Sequence, residues 1–137
     1  MNTGAPVEAE VRIAARPETV FPYLVEPDQL MRWMGEEAKI DPRPGGQFWL
    51  RIGGDDIAVG TYLTVDPPRQ VVFTWGWVGN EEVPPGCSTV TFDLRADGDD
   101  TVVSLTHRDL PESWCDRHLD GWNHFLPALP EAISADR

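Results

Sequence analysis

Residues 70–78 read Gln-Val-Val-Phe-Thr-Trp-Gly-Trp-Val, and the alternation within this stretch decides the fold of the chain. In a β-strand, Val71, Phe73, Trp75 and Trp77 point to one face, because successive side chains alternate between the two faces. The same alternation recurs in two later segments, whose residues on one face are Val90, Phe92, Leu94, Val103, Leu105 and His107. We expect these three sets to form the concave, apolar face of one sheet.

Glycine and proline separate about six consecutive strands between residues 38 and 107. The breaks fall at Pro42–Gly46, Gly53–Asp56, Pro67-Pro68, Pro84–Gly86 and Asp97-Gly98. Asp-Gly between alternating segments is typical of a tight hairpin. No interval is long enough for a helical crossover, so the strands should be antiparallel. An earlier alternating segment, Val7–Ala14, adds one more strand and predicts a sheet of six or seven strands.

Helical patterns flank this sheet on both sides in sequence. After the first strand, Arg16-Pro17-Glu18 begins one short helix, Pro27 ends it, and Asp28 begins a second. After Pro111, apolar residues recur every three or four positions, which predicts a long amphipathic helix; they are Cys115, Leu119, Trp122, Leu126, Leu129 and Ile133. Pro127 and Pro130 predict a kink near residues 123–125 or a break into a second short helix.

This order of elements predicts an α+β protein with a single domain over residues 1–137, in which residues 1–6 form a flexible tail. The sheet must cover its apolar face, and the last helix is the only element long enough to lie across it. A curved sheet around one helix leaves a gap near the strand ends. Five tryptophans could either line that gap as a ligand cage or fill it, and the sequence favours neither; they are Trp33, Trp75, Trp77, Trp114 and Trp122.

Composition limits the partners of the chain. It has 11 basic and 23 acidic residues, a net charge of −12, so nucleic acid and membrane surfaces should repel it. The hydrophobic content of 41% is too high for a disordered chain. No apolar run approaches the ~20 residues of a spanning helix, and no secretory signal is evident. Because Cys87 and Cys115 do not make a disulfide framework, we expect two reduced thiols and a cytoplasmic location.

Several segments together resemble the SRPBCC (START and birch-pollen-allergen-like) superfamily, in the branch related to the C-terminal domain of the heat-shock-protein-90 ATPase activator. They are Ile13–Phe21, Leu30–Trp33, Arg43–Phe48, Gly60–Tyr62, Val65–Trp75, Leu105–His107 and the helical motif His118-x-x-Gly121-Trp122. They cover almost the whole chain in the order of the family. The resemblance implies a helix-grip fold with a pocket for a hydrophobic or amphipathic small molecule, but no single chemistry.

The sequence departs from the family in two ways. Pro127 and Pro130 fall where the family usually keeps an unbroken helix, which affects the far end of the pocket. The N-terminal domain that accompanies the eukaryotic co-chaperone is not in this sequence, so we do not expect stimulation of a chaperone.

We expect the ligand to contact residues on the concave face, the last helix and the second short helix. They are Trp33, Phe48, Phe73, Trp75, Trp77, Phe92, His107, Cys115, His118 and Trp122. His107 and His118 are also the candidate acid/base groups; the alternative is that neighbours satisfy each ring. Tyr62 could place its hydroxyl at the rim or cover the outer face of the sheet. Cys115 and His118, with His107 across the gap, are too few for a metal site, so we expect neither metal nor cofactor.

Three functions remain open. The first is binding of a hydrophobic or amphipathic small molecule. The second is a polyketide cyclase or hydratase that uses His107 or His118 on a bound ligand, and the third is a co-chaperone or protein-interaction module with an acidic surface. The sequence does not distinguish a monomer from a homodimer.

Overall fold

The computed structural model describes residues 3–137 and contains one seven-stranded antiparallel sheet. In space the strands follow the order β1-β7-β6-β5-β4-β3-β2. Their bounds are β1 Val7–Ile13, β2 Glu37–Ile40, β3 Gln47–Gly53, β4 Asp56–Asp66, β5 Gln70–Trp75, β6 Ser88–Asp97 and β7 Asp100–Arg108. The predicted α+β architecture, with an antiparallel sheet and short helices after its first strand, is confirmed.

Turns and a bulge set the shape of the sheet. The predicted hairpin at Asp97-Gly98 joins β6 to β7, with Gly98 in the left-handed region at φ +62°. A register shift between Tyr62 and Thr64 interrupts the pairing of β4 with β5. An irregularity of this kind bends the strand that carries it. The eleven-residue β4 can therefore pair with β3 along its first half and with β5 along its second half.

Three single-turn helices follow β1 where two were expected. They are α1 (Pro17–Val20), α2 (Pro22–Val25) and α3 (Pro27–Leu30), each with proline at its start. Proline has no backbone N–H and crowds the preceding turn, so Pro22 separates α1 from α2 rather than continuing one helix.

The C-terminal helix consists of two parts, α4 (Glu112–Phe125) and α5 (Ala128–Ala135). The predicted break is confirmed, since Pro127 cannot donate to the turn before it. Pro130 lies in the first turn of α5, where a missing N–H is tolerated. Within residues 3–137, no helix is both long and apolar enough to cross a membrane.

The strand predicted over residues 70–78 ends earlier, at Trp75. Beyond it, the Trp77 N–H donates to the Val83 carbonyl at 2.7 Å, and Trp77 keeps only an isolated bridge to Ala58 on β4. Gly76 permits this fold-back, because a Cβ at Gly76 would lie 1.7 Å from the Pro84 carbonyl oxygen. The segment after β5 therefore folds against residues 83 and 84 instead of extending the sheet.

The predicted concave face is buried against the helices. Of its strand residues, Val71, Phe73, Val90 and Leu105 are at most 2% exposed. The helices contribute buried side chains to the same core, among them Trp122, Leu126, Leu129 and Ile133. Tyr62, expected at the rim or on the outer face, is completely buried against Phe48 and Phe73.

The N-terminal residues were expected to form a flexible tail over positions 1–6. Thr3 forms a bridge with Pro111, and the Gly4 N–H donates to the Leu110 carbonyl at 3.0 Å. These bonds hold the segment from Thr3 onward against the start of α4, whereas residues 1 and 2 lie outside the described part of the chain.

Candidate functional site: a tryptophan-lined cleft beside helix α4

A cleft of about 660 Å³ lies between α4 and the segment that follows β5. Residues 77–82 and Trp75 line one side, and Trp114, Gly121 and Trp122 line the other. Asp56 and Ile57, at the start of β4, complete the wall. Part of the rim is exposed, with Val78 53% exposed, so the cleft opens to solvent. Its volume lies in the range of about 300–1,000 Å³ that is typical of small-molecule sites.

His118 joins the two sides of this cleft. The Trp77 Nε1–H lies 3.0 Å from His118 Nε2, and His118 Nδ1 lies 2.8 Å from the Trp114 carbonyl oxygen. An indole N–H can only donate, so Nε2 must accept and the ring proton must be on Nδ1, where it donates to the carbonyl. Burial lowers the pKa of His118, while the bond to the carbonyl opposes that shift. His118 is therefore neutral, and both its nitrogens are occupied.

His107 lies deeper and is held in a second chain of hydrogen bonds. Trp122 Nε1–H donates to His107 Nδ1 at 3.0 Å, and Ser88 Oγ donates to the Trp75 carbonyl at 2.7 Å. His107 Nε2, 2.8 Å from Ser88 Oγ, must then carry the ring proton and donate it. Burial, with a smaller contribution from His118, lowers the pKa of His107 to about 3.

These two networks bear directly on acid/base chemistry. The rings of His107 and His118 lie 5.0 Å apart, centroid to centroid, so the structure brings the two predicted histidines together. A general base must reach the proton that it removes within about 3 Å, or through one water. Here each ring nitrogen is already hydrogen-bonded to a protein atom.

Three of the four indole N–H groups around the cleft have protein acceptors. Those of Trp77 and Trp122 donate to the two histidines, and that of Trp114 donates to Glu82 Oε2 at 3.2 Å. The N–H of Trp75 is buried and has no acceptor among residues 3–137. A buried donor without an acceptor costs about 1–3 kcal/mol. The cleft therefore contains one indole whose hydrogen-bonding capacity the protein leaves unused.

Gly121 keeps a gap in the wall formed by α4. It lies inside the helix, and a Cβ at this position would meet nothing within 4 Å. Glycine in a helix interior is less favourable than alanine by roughly 0.5–1 kcal/mol. The missing side chain widens the cleft at the expense of helix stability.

Only part of the predicted ligand-binding set lines this cleft. Trp75, Trp77, His118 and Trp122 do so, and His107 lies directly behind them. The other four aromatic residues of the predicted set fill the core instead, namely Trp33, Phe48, Phe73 and Phe92. Phe48 stacks on Phe73 at 4.1 Å between centroids. The five tryptophans thus divide between the two expected roles, filling the core and lining a cleft. Trp33 is packed in the core, and the other four line the cleft.

Cys115 is turned away from the cleft, towards the N-terminal segment. Its Sγ lies 3.8 Å from the Ala5 carbonyl oxygen and would be 2.5 Å from a Cβ at Gly4. The segment predicted as a flexible tail covers this side of α4. Burial raises the pKa of the Cys115 thiol, which disfavours the thiolate. In residues 3–137, no three His, Cys, Asp or Glu side chains are gathered as a metal site.

The sequence interpretation missed several residues of the cleft. On α4 they are Arg117, Gly121 and Phe125, which fall at helical spacing from the predicted Trp114, His118 and Trp122 and could have been identified from them. The apolar stripe through Cys115 and Leu119 predicts a neighbouring face of α4 instead. Residues 78–82 carried no such signal, since they reach the cleft only because the chain folds back at Gly76.

The curved sheet, the C-terminal helix and the cleft beside it define a helix-grip protein of the SRPBCC superfamily. The chain belongs to the family of Activator of Hsp90 ATPase homolog 1-like proteins, whose model matches residues 14–134. No curated protein sequence matches this chain.

Solved structures agree with this assignment. An AHSA1-like protein from Rhizobium etli is 38% identical, with a TM-score of 0.74, over 94% of this chain and 81% of that one. A protein from Mesorhizobium loti has a TM-score of 0.85 at 20% identity, over 97% of this chain and 99% of that one. The Aha1 dimer from Colwellia psychrerythraea has a TM-score of 0.82 at 21% identity, over 94% and 96% of the two chains. The last two similarities concern the fold.

Proposed function

We propose that this protein binds a hydrophobic or amphipathic small molecule in the cleft beside α4. The observation that carries the proposal is an open space of about 660 Å³ with four tryptophans on its walls. Aromatic side chains provide large apolar contact areas, and a few polar groups then fix the orientation of a ligand. The N–H of Trp75 is one such group, because an oxygen or nitrogen atom of the ligand could satisfy it.

Binding fits the chemistry of the site better than catalysis does. A cyclase or hydratase would need His107 or His118 to exchange a proton with the ligand. The indole donors of Trp122 and Trp77 occupy the nitrogens that would accept that proton. The two histidines therefore act as supports that orient the indoles. The description of the family suggests a co-chaperone role, but no feature of the cleft supports that role.

We also propose a cellular location and an oligomeric state for the protein. Its two cysteines are both free thiols, which supports a reducing compartment such as the cytoplasm. The fold that it shares with the dimer from Colwellia psychrerythraea supports a homodimer. Light scattering on a size-exclusion column tests this, since a homodimer has twice the mass of the chain.

The binding proposal is tested by filling the gap at Gly121. A panel of flavonoids, fatty acids and aromatic polyketides is screened by thermal shift and by quenching of tryptophan fluorescence. Gly121→Trp should abolish the response of any compound that binds, because the new indole enters the cleft. His124→Trp is the matched control, since it adds the same side chain to α4 at an exposed position.

Two results would contradict the proposal. One is that no compound changes either signal in the natural protein, and that native mass spectrometry of freshly purified protein finds no bound molecule. The other is that Gly121→Trp, folded by circular dichroism, binds as well as His124→Trp does.

A further inference from the structure

The indole rings on the walls of the cleft contact one another. Trp75 and Trp77 meet edge to face at 5.2 Å, and Trp75 and Trp122 lie 5.4 Å apart, centroid to centroid. The face of an aromatic ring is the negative part of its quadrupole, and indole attracts cations more strongly than other side-chain rings do. Wherever a ligand reaches the face of one of these indoles, a positively charged group is attracted more strongly than a negatively charged one.

One indole of the cleft already binds a cation of the protein itself. The guanidinium of Arg117 lies over the ring of Trp114, 4.7 Å from its centroid. The same ring donates its N–H to Glu82, so a carboxylate lies at its edge while a cation covers its face. The Trp114 ring and the Glu82 carboxylate thus lie together next to a positively charged group, which here is the guanidinium of Arg117.

The charged residues that line the cleft are mainly acidic. They are Asp56, Glu81 and Glu82, against the single cation Arg117. Asp56 and Glu81 are exposed, and within residues 3–137 neither carboxylate takes part in an ion pair or side-chain hydrogen bond. The net charge of −12 adds a long-range field of the same sign. An anionic ligand would meet this rim before it reached the indoles.

We infer that the ligand of this cleft is a cationic amphiphile, with an aromatic or aliphatic body among the tryptophans and an ammonium group at the rim near Asp56 and Glu81. The inference rests on the proposed binding function and narrows its ligand class. The buried N–H of Trp75 adds a second requirement at the inner end, which is a hydrogen-bond acceptor on the body of the ligand. Neutral compounds of the same shape should bind more weakly, and anionic ones most weakly.

The test uses three naphthalene probes that share the ring system and carry a positive, a neutral and a negative substituent: 1-naphthylmethylamine, 1-naphthalenemethanol and 1-naphthoate. Binding is followed by NMR through the indole N–H signals of Trp77 and Trp114. At low ionic strength, the ammonium probe should bind about five- to tenfold more tightly than the carboxylate. The ratio should fall towards one in high salt, because exposed charges are screened.

Two pairs of substitutions test which carboxylates cause the preference for the ammonium probe. Asp56→Asn with Glu81→Gln should remove most of the preference, whereas Glu8→Gln with Glu18→Gln should preserve it. Both pairs change the net charge by the same amount, and Glu8 and Glu18 are exposed residues outside the cleft. Glu82 is left in place, because its carboxylate accepts the N–H of Trp114.

The outcomes separate this inference from the binding proposal. Equal binding of the three probes, or tightest binding of the carboxylate, overturns the cationic ligand class and leaves a hydrophobic binding site. A preference that survives Asp56→Asn with Glu81→Gln, or that both pairs reduce equally, also overturns it, because the rim would then not be its source. If no probe shifts the indole signals of the cleft, the binding proposal itself fails.

Discussion

Trp77 Nε1 donates to His118 Nε2 at 3.0 Å, and this bond joins the segment after β5 to helix α4 across the cleft. The rings of the two residues also lie 5.9 Å apart, centroid to centroid. The contact fixes the indole ring of Trp77, while its backbone, beyond the end of β5, is held by the bridge to Ala58 and the bond to the Val83 carbonyl. His118, a candidate acid/base residue of the sequence, therefore supports one wall of the cleft.

Removing the acceptor on His118 should loosen that wall. His118→Leu leaves the Trp77 N–H without a partner, and we expect a loss of about 1–2 kcal/mol in the free energy of unfolding. The emission of Trp77 should shift to longer wavelength as its ring becomes more exposed. His118→Gln retains an acceptor oxygen, so its stability should lie between that of Leu and that of the natural protein. Urea unfolding measures all three, and equal stability of His118→Leu and the natural protein would contradict the assignment.

The folded protein should be less stable in acid because His107 is buried as a neutral ring. Its pKa falls from 6.5 to about 3 on folding. Between these values the unfolded state binds a proton that the folded state does not, so the free energy of unfolding decreases as pH falls. The slope contributed by this residue is up to about 1.4 kcal/mol per pH unit. Above pH 6.5 the contribution is complete and constant.

NMR titration of His107 measures this shift directly, without a variant. Its ring signals should keep the shifts of the neutral imidazole throughout mild acid, until the protein unfolds or the pH approaches 3. A midpoint near 6.5 in the folded protein would show that the hydrogen bonds to Ser88 and Trp122 do not fix the neutral form.

Alanine should have opposite effects at Gly76, where the chain folds back after β5, and at Gly121 in α4. Gly76→Ala places a Cβ 1.7 Å from the Pro84 carbonyl oxygen, so the fold-back after β5 must shift. We expect a loss of about 1–3 kcal/mol, typical of overpacking. Gly121→Ala meets open space in a helix and should gain about 0.5–1 kcal/mol. Thermal unfolding compares the two, and destabilisation by Gly121→Ala would mean that the gap in α4 has a structural role.

The alternation of apolar and polar residues, together with the glycine and proline breaks, was sufficient to predict the sheet. Val71, Phe73 and Trp75 face the core as their period of two requires, and Gly98 turns the chain where Asp97-Gly98 predicted a hairpin. The helical break near Pro127 was equally predictable, because a proline removes a hydrogen bond wherever the helix lies. These features depend on interactions between residues close in sequence, or on which face of a strand carries the apolar side chains.

The cleft was only partly predictable, because it depends on contacts between residues distant in sequence. The sequence placed Trp77 and His118 on the pocket side, yet it could not indicate that they hydrogen-bond to each other across 41 positions. Nor could it assign a cleft-facing role to residues 78–82, which follow from the fold-back at Gly76.

The amino-acid sequence by itself determined the order of the strands and helices, the face of the sheet that is buried, and the acidic character of the surface. Each of these follows from the period of apolar residues, from the backbone limits of glycine and proline, or from a count of charges. Tertiary structure alone decided which tryptophans fill the core and which border the cleft, and that both histidines are neutral and fully bonded. Those outcomes depend on burial and on partners brought together by folding, because a side chain's pKa and hydrogen bonds are set by its surroundings in space.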